Sequence, residues 1–335
     1  MRIFSLVGLL ILTSIAWYLT PDYSPVTRIH GASLVNPPRP IESSSMKELS
    51  RVNAQWVAVI PYGFSRSGQG GVTFDHGQQW WGERTYGSCM LIQYAKENDL
   101  KVMLKPHVWV GGEGWCGDFD LATEAQWSQW ENDFSKYIIN HARKADSLDV
   151  ELFCIGTEYR IPARERPEFW RKLISEVRGV YGGKITYASN WDNYENITWW
   201  NELDYIGIDA YFPLVEGEHP TIDQIKKGWD PVKQKLNAFS NKWNKPILFT
   251  EYGFQSVNGA AGKHWEVDKS SSNINNALQA DAYEATFQAF DDEPWFAGGF
   301  FWKWHFNTGK GNWRGTEWTP QGKPAEQVIA KWYQK

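Results

Sequence analysis

Cysteine is scarce in this chain: only Cys89, Cys116 and Cys154 occur among 335 residues. Three are too few for a disulfide framework. Cys154 lies inside an apolar run that reads as a strand, and is expected to be a small core residue. Cys89 and Cys116 are left as a pair that an oxidising compartment would permit to bond and that spacing alone does not decide. No Cys and His spacing matches a metal site, so neither a metal nor another cofactor is expected. Positive charge is in short supply too, with 34 Lys and Arg against 39 Asp and Glu, a net charge of -5 and a pI near 5.9. That balance offers nothing to a phosphate backbone and excludes a nucleic-acid partner. The Gly-rich stretches Gly68–Gly71 and Gly111–Gly117 are not followed by GK[ST], which excludes a phosphate cradle and leaves them as cleft walls. No repeat, low-complexity tract or second compositional block is present.

Long apolar runs are missing after the first twenty residues. Arg2 and the run Ile3–Leu19, closed by Pro21, read as an export signal or an uncleaved anchor. The run is slightly short for a full membrane span. Its small-residue cleavage pattern is poor, since Trp17 and Tyr18 follow Ala16, and the lack of a cysteine at its end argues against a lipid anchor. Either form puts the body of the protein outside the cytoplasm, periplasmic or extracellular, with residues 3–19 as a membrane tether if they are kept. Residues 1–20 are therefore assigned to the leader, 21–27 to a linker and 28–335 to one folded domain. A monomer is the default.

Aromatic side chains are abundant instead: 21 Trp, 15 Tyr and 17 Phe. Indole and phenol faces stack on the apolar faces of sugar rings and leave a polar edge for hydroxyls. Many of these rings are expected in the core. Trp127, Trp130, Phe134, Tyr137 and Ile138 recur at helical spacing behind Thr123, a plausible N-cap with Gln126 three residues on, and read as a helix face.

Strand and helix patterns alternate along the rest of the chain. Strands are expected at Arg28–Val35, Gln55–Tyr62, Lys101–Val110, Val150–Ile155, Lys184–Ala188, Asp204–Ile208, Ile247–Thr250 and Gly298–Trp302. Helices are expected at Ser43–Val52, Tyr86–Asn98, Thr123 to Ala145, Pro167–Val180, Ile197–Leu203, Ile222–Trp243 with a break at Pro231, Asn273–Phe290 and Pro324–Tyr333. Eight such alternations predict a single (β/α)₈ barrel of the TIM type.

In such a barrel the site lies where strands end. His107 and Trp109 follow the third strand, Thr157 and Glu158 the fourth, Asn190 and Trp191 the fifth, Asp209 and Tyr211 the sixth, Glu251 the seventh, and Trp302 and Trp304 the eighth. Strands four and seven face one another, so Glu158 and Glu251 are expected to meet across the mouth. Two carboxyl groups about 5–5.5 Å apart cleave a glycosidic bond with retention of configuration. Glu158 is the candidate acid/base, its pKa raised by apolar neighbours and the Glu251 charge, and Glu251 the candidate nucleophile. Tyr211 is placed to orient Glu251 and Trp302 to floor the reacting ring. Thr157, His107, Trp109, Asn190, Trp191, Asp209 and Trp304 complete the candidate substrate-binding set.

The segments GTEY after strand four, TEYGF after strand seven and FWKW at strand eight resemble the clan-A retaining glycoside hydrolases. With GASLV, WVAVIPYGF and KPHVW, the chain from about Ile29 onward is most similar to the family-113 glycoside hydrolases, whose known members are β-mannanases. The resemblance implies acid/base and nucleophile roles for Glu158 and Glu251, sugar binding by Tyr211 and Trp302, and an endo-β-1,4-mannanase activity on a polysaccharide or oligosaccharide. The same machinery on a β-glucan or another β-glycan, or a barrel that binds glycan without cutting it, are the alternatives. Most clan members place Asn before the acid/base to bind the sugar 2-hydroxyl. Here the residue is Thr157.

Overall fold

Alternating apolar and small residues make short strands whose two faces are both covered, as a parallel barrel requires. The computed structural model describes residues 27–112, 115–306 and 315–335. The leader and all of the linker but Thr27 lie outside the described residues. The strands are β1 (Ile29–Leu34), β2 (Trp56–Val59), β3 (Tyr62–Arg66), β4 (Lys101–Leu104), β5 (His107–Gly111), β6 (Leu152–Thr157), β7 (Lys184–Asn190), β8 (Ile206–Asp209), β9 (Ile247–Tyr252) and β10 (Phe296–Trp304). All except β3 and β5 close into a parallel barrel in the order β1-β10-β9-β8-β7-β6-β4-β2. The helices are α1 (Thr85–Glu97), α2 (Glu124–Ser147), α3 (Arg160–Glu165), α4 (Pro167–Arg178), α5 (Ile222–Trp243), α6 (Asn276–Phe290) and α7 (Pro324–Tyr333). The architecture is the (β/α)₈ barrel.

Two of the expected strands are each cut in two, and proline explains both cuts. Pro61 separates β2 from β3, and Pro106 separates β4 from β5; neither has an N–H for the ladder. Lys105 and His107 bridge the gap by donating their backbone N–H groups to Val59 and Pro61. β3 and β5 then pair in parallel as a two-stranded extension, with Tyr62 opposite His107 and Phe64 opposite Trp109. This extension raises one side of the mouth above the barrel.

Two apolar layers hold the structure. Ile29, Ala58, Met103, Leu152, Cys154, Leu248 and Phe300 fill the barrel interior. A larger layer joins barrel to helices, and the α2 face Trp127, Trp130, Phe134, Tyr137 and Ile138 lies buried within it. Burying each such side chain contributes roughly 1.5–3 kcal/mol. Thr123 caps α2 reciprocally with Gln126, and the Tyr137 hydroxyl donates to the carbonyls of Pro61 and His107, tying α2 to the strand extension.

Several local expectations change. α5 runs unbroken through Pro231, because Trp229 and Leu236 on either side are both buried and hold the axis. Ser43–Val52 is a 3₁₀ helix. The 197–203 segment contains only a 3₁₀ turn at Trp200–Glu202, its indoles Trp199 and Trp200 bonded to the carbonyls of Ala163 and Tyr194. α6 begins at Asn276, capped by Asn275. Cys89, Cys116 and Cys154 are all free thiols, so the open question of a Cys89–Cys116 bond resolves to separate thiols.

Candidate active site

Strand periodicity alone would misplace the residues that matter most. On β9, Leu248 points into the barrel and Phe249 into the helix layer. Strict alternation would send Glu251 outward with Phe249. The register against β8 skips between Phe249 and Glu251, and this bulge turns the carboxylate toward the mouth. A similar skip on β6, between Cys154 and Thr157, precedes Glu158. Glu158 itself has φ +54°, in the left-handed region that costs a non-glycine residue roughly 1–3 kcal/mol. Its backbone N–H is held by the Ala188 carbonyl at 2.8 Å.

The two glutamates line one cleft of about 590 Å³ at the strand ends, together with Tyr62, His107, Trp109, Trp115, Thr157, Asn190, Trp191, Asp192, Tyr211, His264, Trp265, Trp302 and Trp318. A shallower depression of about 730 Å³, lined by groups such as Glu131, Lys136 and Arg143, runs over α2 and α4, on the outer helix layer.

The glutamates have different surroundings. Trp115 Nε1 donates to Glu158 Oε2 at 2.7 Å. Burial first, then the charge of Glu251, pushes the Glu158 carboxyl up to about 7, while the Trp115 bond and the Lys105 charge pull the other way. Glu251 accepts on both oxygens: Tyr211 donates to Oε2 at 2.7 Å and Lys105 Nζ to Oε1. Burial and the Glu251 charge keep the Tyr211 phenol well above its ordinary pKa, so it remains a donor. Lys105 is fully buried and also meets Asp209, at 3.3 and 3.4 Å. Burial works against its charge, yet Asp209 and Glu251 together hold its pKa above the usual lysine value. Burial and the Glu251 charge push Asp209 upward, against Lys105 and the Thr250 hydroxyl, which donates to it at 2.8 Å. His107 is held down to about 3 by burial and Lys105, and is therefore a neutral imidazole.

Most of the residues picked from the sequence come together here: Glu158, Glu251, Tyr211, Trp302, Asn190, Trp191, His107, Trp109 and Thr157 all line the cleft. Two do not. Asp209 lies beneath Glu251, fully buried against Lys105 and Thr250, not in the cleft wall. Trp304 is fully buried in the helix layer against Phe301 and under the Arg51 guanidinium. The register of β10 against β1 skips between Trp302 and Trp304, so residues of the same parity face opposite ways.

Other residues of the site escaped sequence reasoning. Lys105, which lies beneath the cleft and not in its wall, carried a signal, a lysine two residues after Met103 at interior parity. Trp115, His264, Trp265 and Trp318 sit in loops, where no periodicity marks them. Trp115 is clamped under Arg160, 5.3 Å from the indole, and Arg160 also pairs with Asp118 and Asp192. Trp265 stacks on Trp191 with centroids 6.0 Å apart and planes 13° apart, a double indole wall at the cleft edge.

A barrel with two strand-end glutamates in an aromatic cleft is shared by many sugar-cleaving enzymes, and comparison narrows it. The model of Glycoside Hydrolase Family 113 matches residues 39–312. The chain belongs to this family. It is thus a glycoside hydrolase, and its substrate is a carbohydrate. Among solved structures, the Glycoside Hydrolase Family 113 β-mannanase of Alicyclobacillus acidocaldarius, in complex with ManMIm, is 25% identical with a TM-score of 0.81, covering 93% of this chain and 98% of that one. A β-1,4-mannanase of the same family is 26% identical with a TM-score of 0.79, covering 92% and 99%. The β-glucuronidase of Faecalibacterium prausnitzii, 14% identical with a TM-score of 0.61 over 92% of this chain and 49% of that one, shares the fold alone. No curated protein sequence matches the chain.

Proposed function

We propose that this family member is a retaining endo-β-1,4-mannanase, with Glu158 as acid/base and Glu251 as nucleophile. The observation that carries the reading is the division between the two carboxyls. Glu158 is protonated up to about pH 7 by burial and the facing charge, as a general acid must be. Glu251 has a donor on each oxygen, the surroundings of an ionised carboxylate. Because Trp115 occupies Glu158 Oε2, Oε1 is the oxygen that carries the proton.

In the first step Glu251 attacks the anomeric carbon and Glu158 protonates the departing oxygen. In the second, Glu158 takes a proton from water, which attacks the same carbon and frees Glu251. Trp302 floors the reacting sugar. The mannan preference is supported by the β-mannanase neighbours. The leader-like residues 1–20 support export. A mature N-terminus beyond residue 20, measured by mass spectrometry of protein from a secreting host, is the expected result for a cleaved leader.

Reducing-sugar release from mannan, glucomannan, xylan and β-glucan tests the activity. Wild type is expected to cut mannan and glucomannan, with Glu158→Ala and Glu251→Ala losing the activity. NMR is expected to show the β-anomer as the first product. Release from β-glucan alone, or activity surviving in Glu251→Ala, would overturn the reading.

A further inference from the structure

The buried cation under the site has two carboxylate partners, and only one takes part in the proposed chemistry. Lys105 follows Met103 on the barrel interior and is completely buried. Its Nζ donates to Glu251 and also reaches both oxygens of Asp209. Burial and the Glu251 charge push the Asp209 pKa upward, but the side-chain groups bonded to it among the described residues are donors, Lys105 and the Thr250 hydroxyl, so its oxygens serve as acceptors, and the push from Glu251 disappears once Glu251 is esterified.

Consider what the first step does to this arrangement, taking Glu251 as the nucleophile proposed above. A bond forms between a Glu251 oxygen and the anomeric carbon, the glycosidic bond breaks, and the Glu158 proton leaves with the departing oxygen. The total charge of the site is unchanged, but the negative charge moves from Glu251 to Glu158. Lys105 loses one of its two carboxylate partners at that moment, and Asp209 alone remains to balance it. A buried ammonium left without a counter-charge is strongly disfavoured. We infer that Asp209 is the standing counter-ion of Lys105, shared with Glu251 in the free enzyme and sole partner in the glycosyl-enzyme, so that Lys105 and Asp209 are positioning residues for the glycosylation step. With Asp209 neutralised, Lys105 binds Glu251 alone, which blunts the nucleophile and opposes its esterification. The reverse loss of the sugar from Glu251 is not hindered, because the carboxylate being released regains a full cation.

A 2-deoxy-2-fluoro-β-mannobiosyl fluoride tests this, with intact-protein mass spectrometry following both labelling and regeneration after excess reagent is removed. Wild type is expected to take one label and Glu251→Gln none. Asp209→Asn is expected to label at least roughly tenfold more slowly, on the scale of losing one preorganised electrostatic contact, and to regenerate no more slowly than wild type. Thr250→Val, which replaces the hydroxyl bonded to Asp209 with a methyl group, is expected to shift labelling the same way by a smaller factor, and covers the case in which Asp209→Asn does not fold. A merely structural role would slow both steps together. If wild type takes no label, or Glu251→Gln labels normally, the double-displacement reading falls and this inference with it. If that reading holds and both variants label as wild type, or slow both steps equally, the inference alone is overturned.

Discussion

Glu158 combines three features in one residue: a left-handed backbone, a raised pKa and a single indole donor. In its proposed role as the acid it works while protonated, so kcat/KM is expected to fall as pH rises through about 7, the value burial and the Glu251 charge give it. Trp115 donates to the ionised form best and lowers that pKa. Trp115→Phe is therefore expected to move the basic limb of the pH–rate profile upward, which a profile on a soluble mannooligosaccharide reads directly. The same shift bears on stability. A carboxyl whose pKa is higher folded than unfolded adds stability below its unfolded pKa, and that contribution is lost as pH rises from about 4.5 to about 7. Glu158→Gln removes the ionisable group, so the variant is expected to melt several degrees above wild type at pH 8. The gap is expected to close toward pH 4.5 in scanning calorimetry.

At the scale of elements, the bulges on β6, β9 and β10 decide which side chains reach the cleft. Hydrophobic alternation locates strands and cannot locate a one-residue skip, since the skip arises from pairing with a neighbour. That is why Glu158 and Glu251, marked by their position at strand ends, were legible in the sequence, while Trp304, picked on the same strand-end rule, is turned out of the cleft by the β10 skip. Pro61 and Pro106 were visible too, but their effect needed the ladder they interrupt. Helix α2 was legible to its cap because capping box and apolar stripe are local. Thr123→Ala is expected to cost about 1 kcal/mol, seen as a lower denaturant midpoint with unchanged slope. Gly298 at the base of β10 is a stricter case: its φ is +91°, and a Cβ there would lie 2.3 Å from the Ile29 carbonyl oxygen. Gly298→Ala is expected to destabilise by roughly 3 kcal/mol or more, lowering the melting temperature by several degrees without changing KM in the protein that remains folded.

At the scale of the whole molecule, the cleft draws its residues from seven of the barrel's eight strand ends and from the loops beyond them. The count of eight strands made the fold readable, because each unit repeats the same strand-and-helix pattern. The loops had no such pattern, and they supply Trp115, His264, Trp265 and Trp318. The Trp191–Trp265 stack lines the cleft, and we propose that it meets a long substrate away from the reacting ring. Trp265→Ala is expected to raise KM severalfold on mannopentaose or longer chains, with kcat nearly unchanged and little effect on the shortest cleavable oligosaccharide. Steady-state kinetics over a chain-length series would expose any other pattern.

The closure of β1 against β10 also fixes where the two ends of the folded domain emerge. β1 starts at Ile29 on the face opposite the cleft, and Arg28 is fastened there to the carbonyls of Asp291 and Glu293. α7 returns the chain to that same face, where the Tyr333 ring stacks on His30 at 4.6 Å and its hydroxyl bonds the Gly31 carbonyl. A surface, fusion partner or bead joined at either end of the folded domain therefore meets the bottom of the barrel, and the cleft opens away from that support.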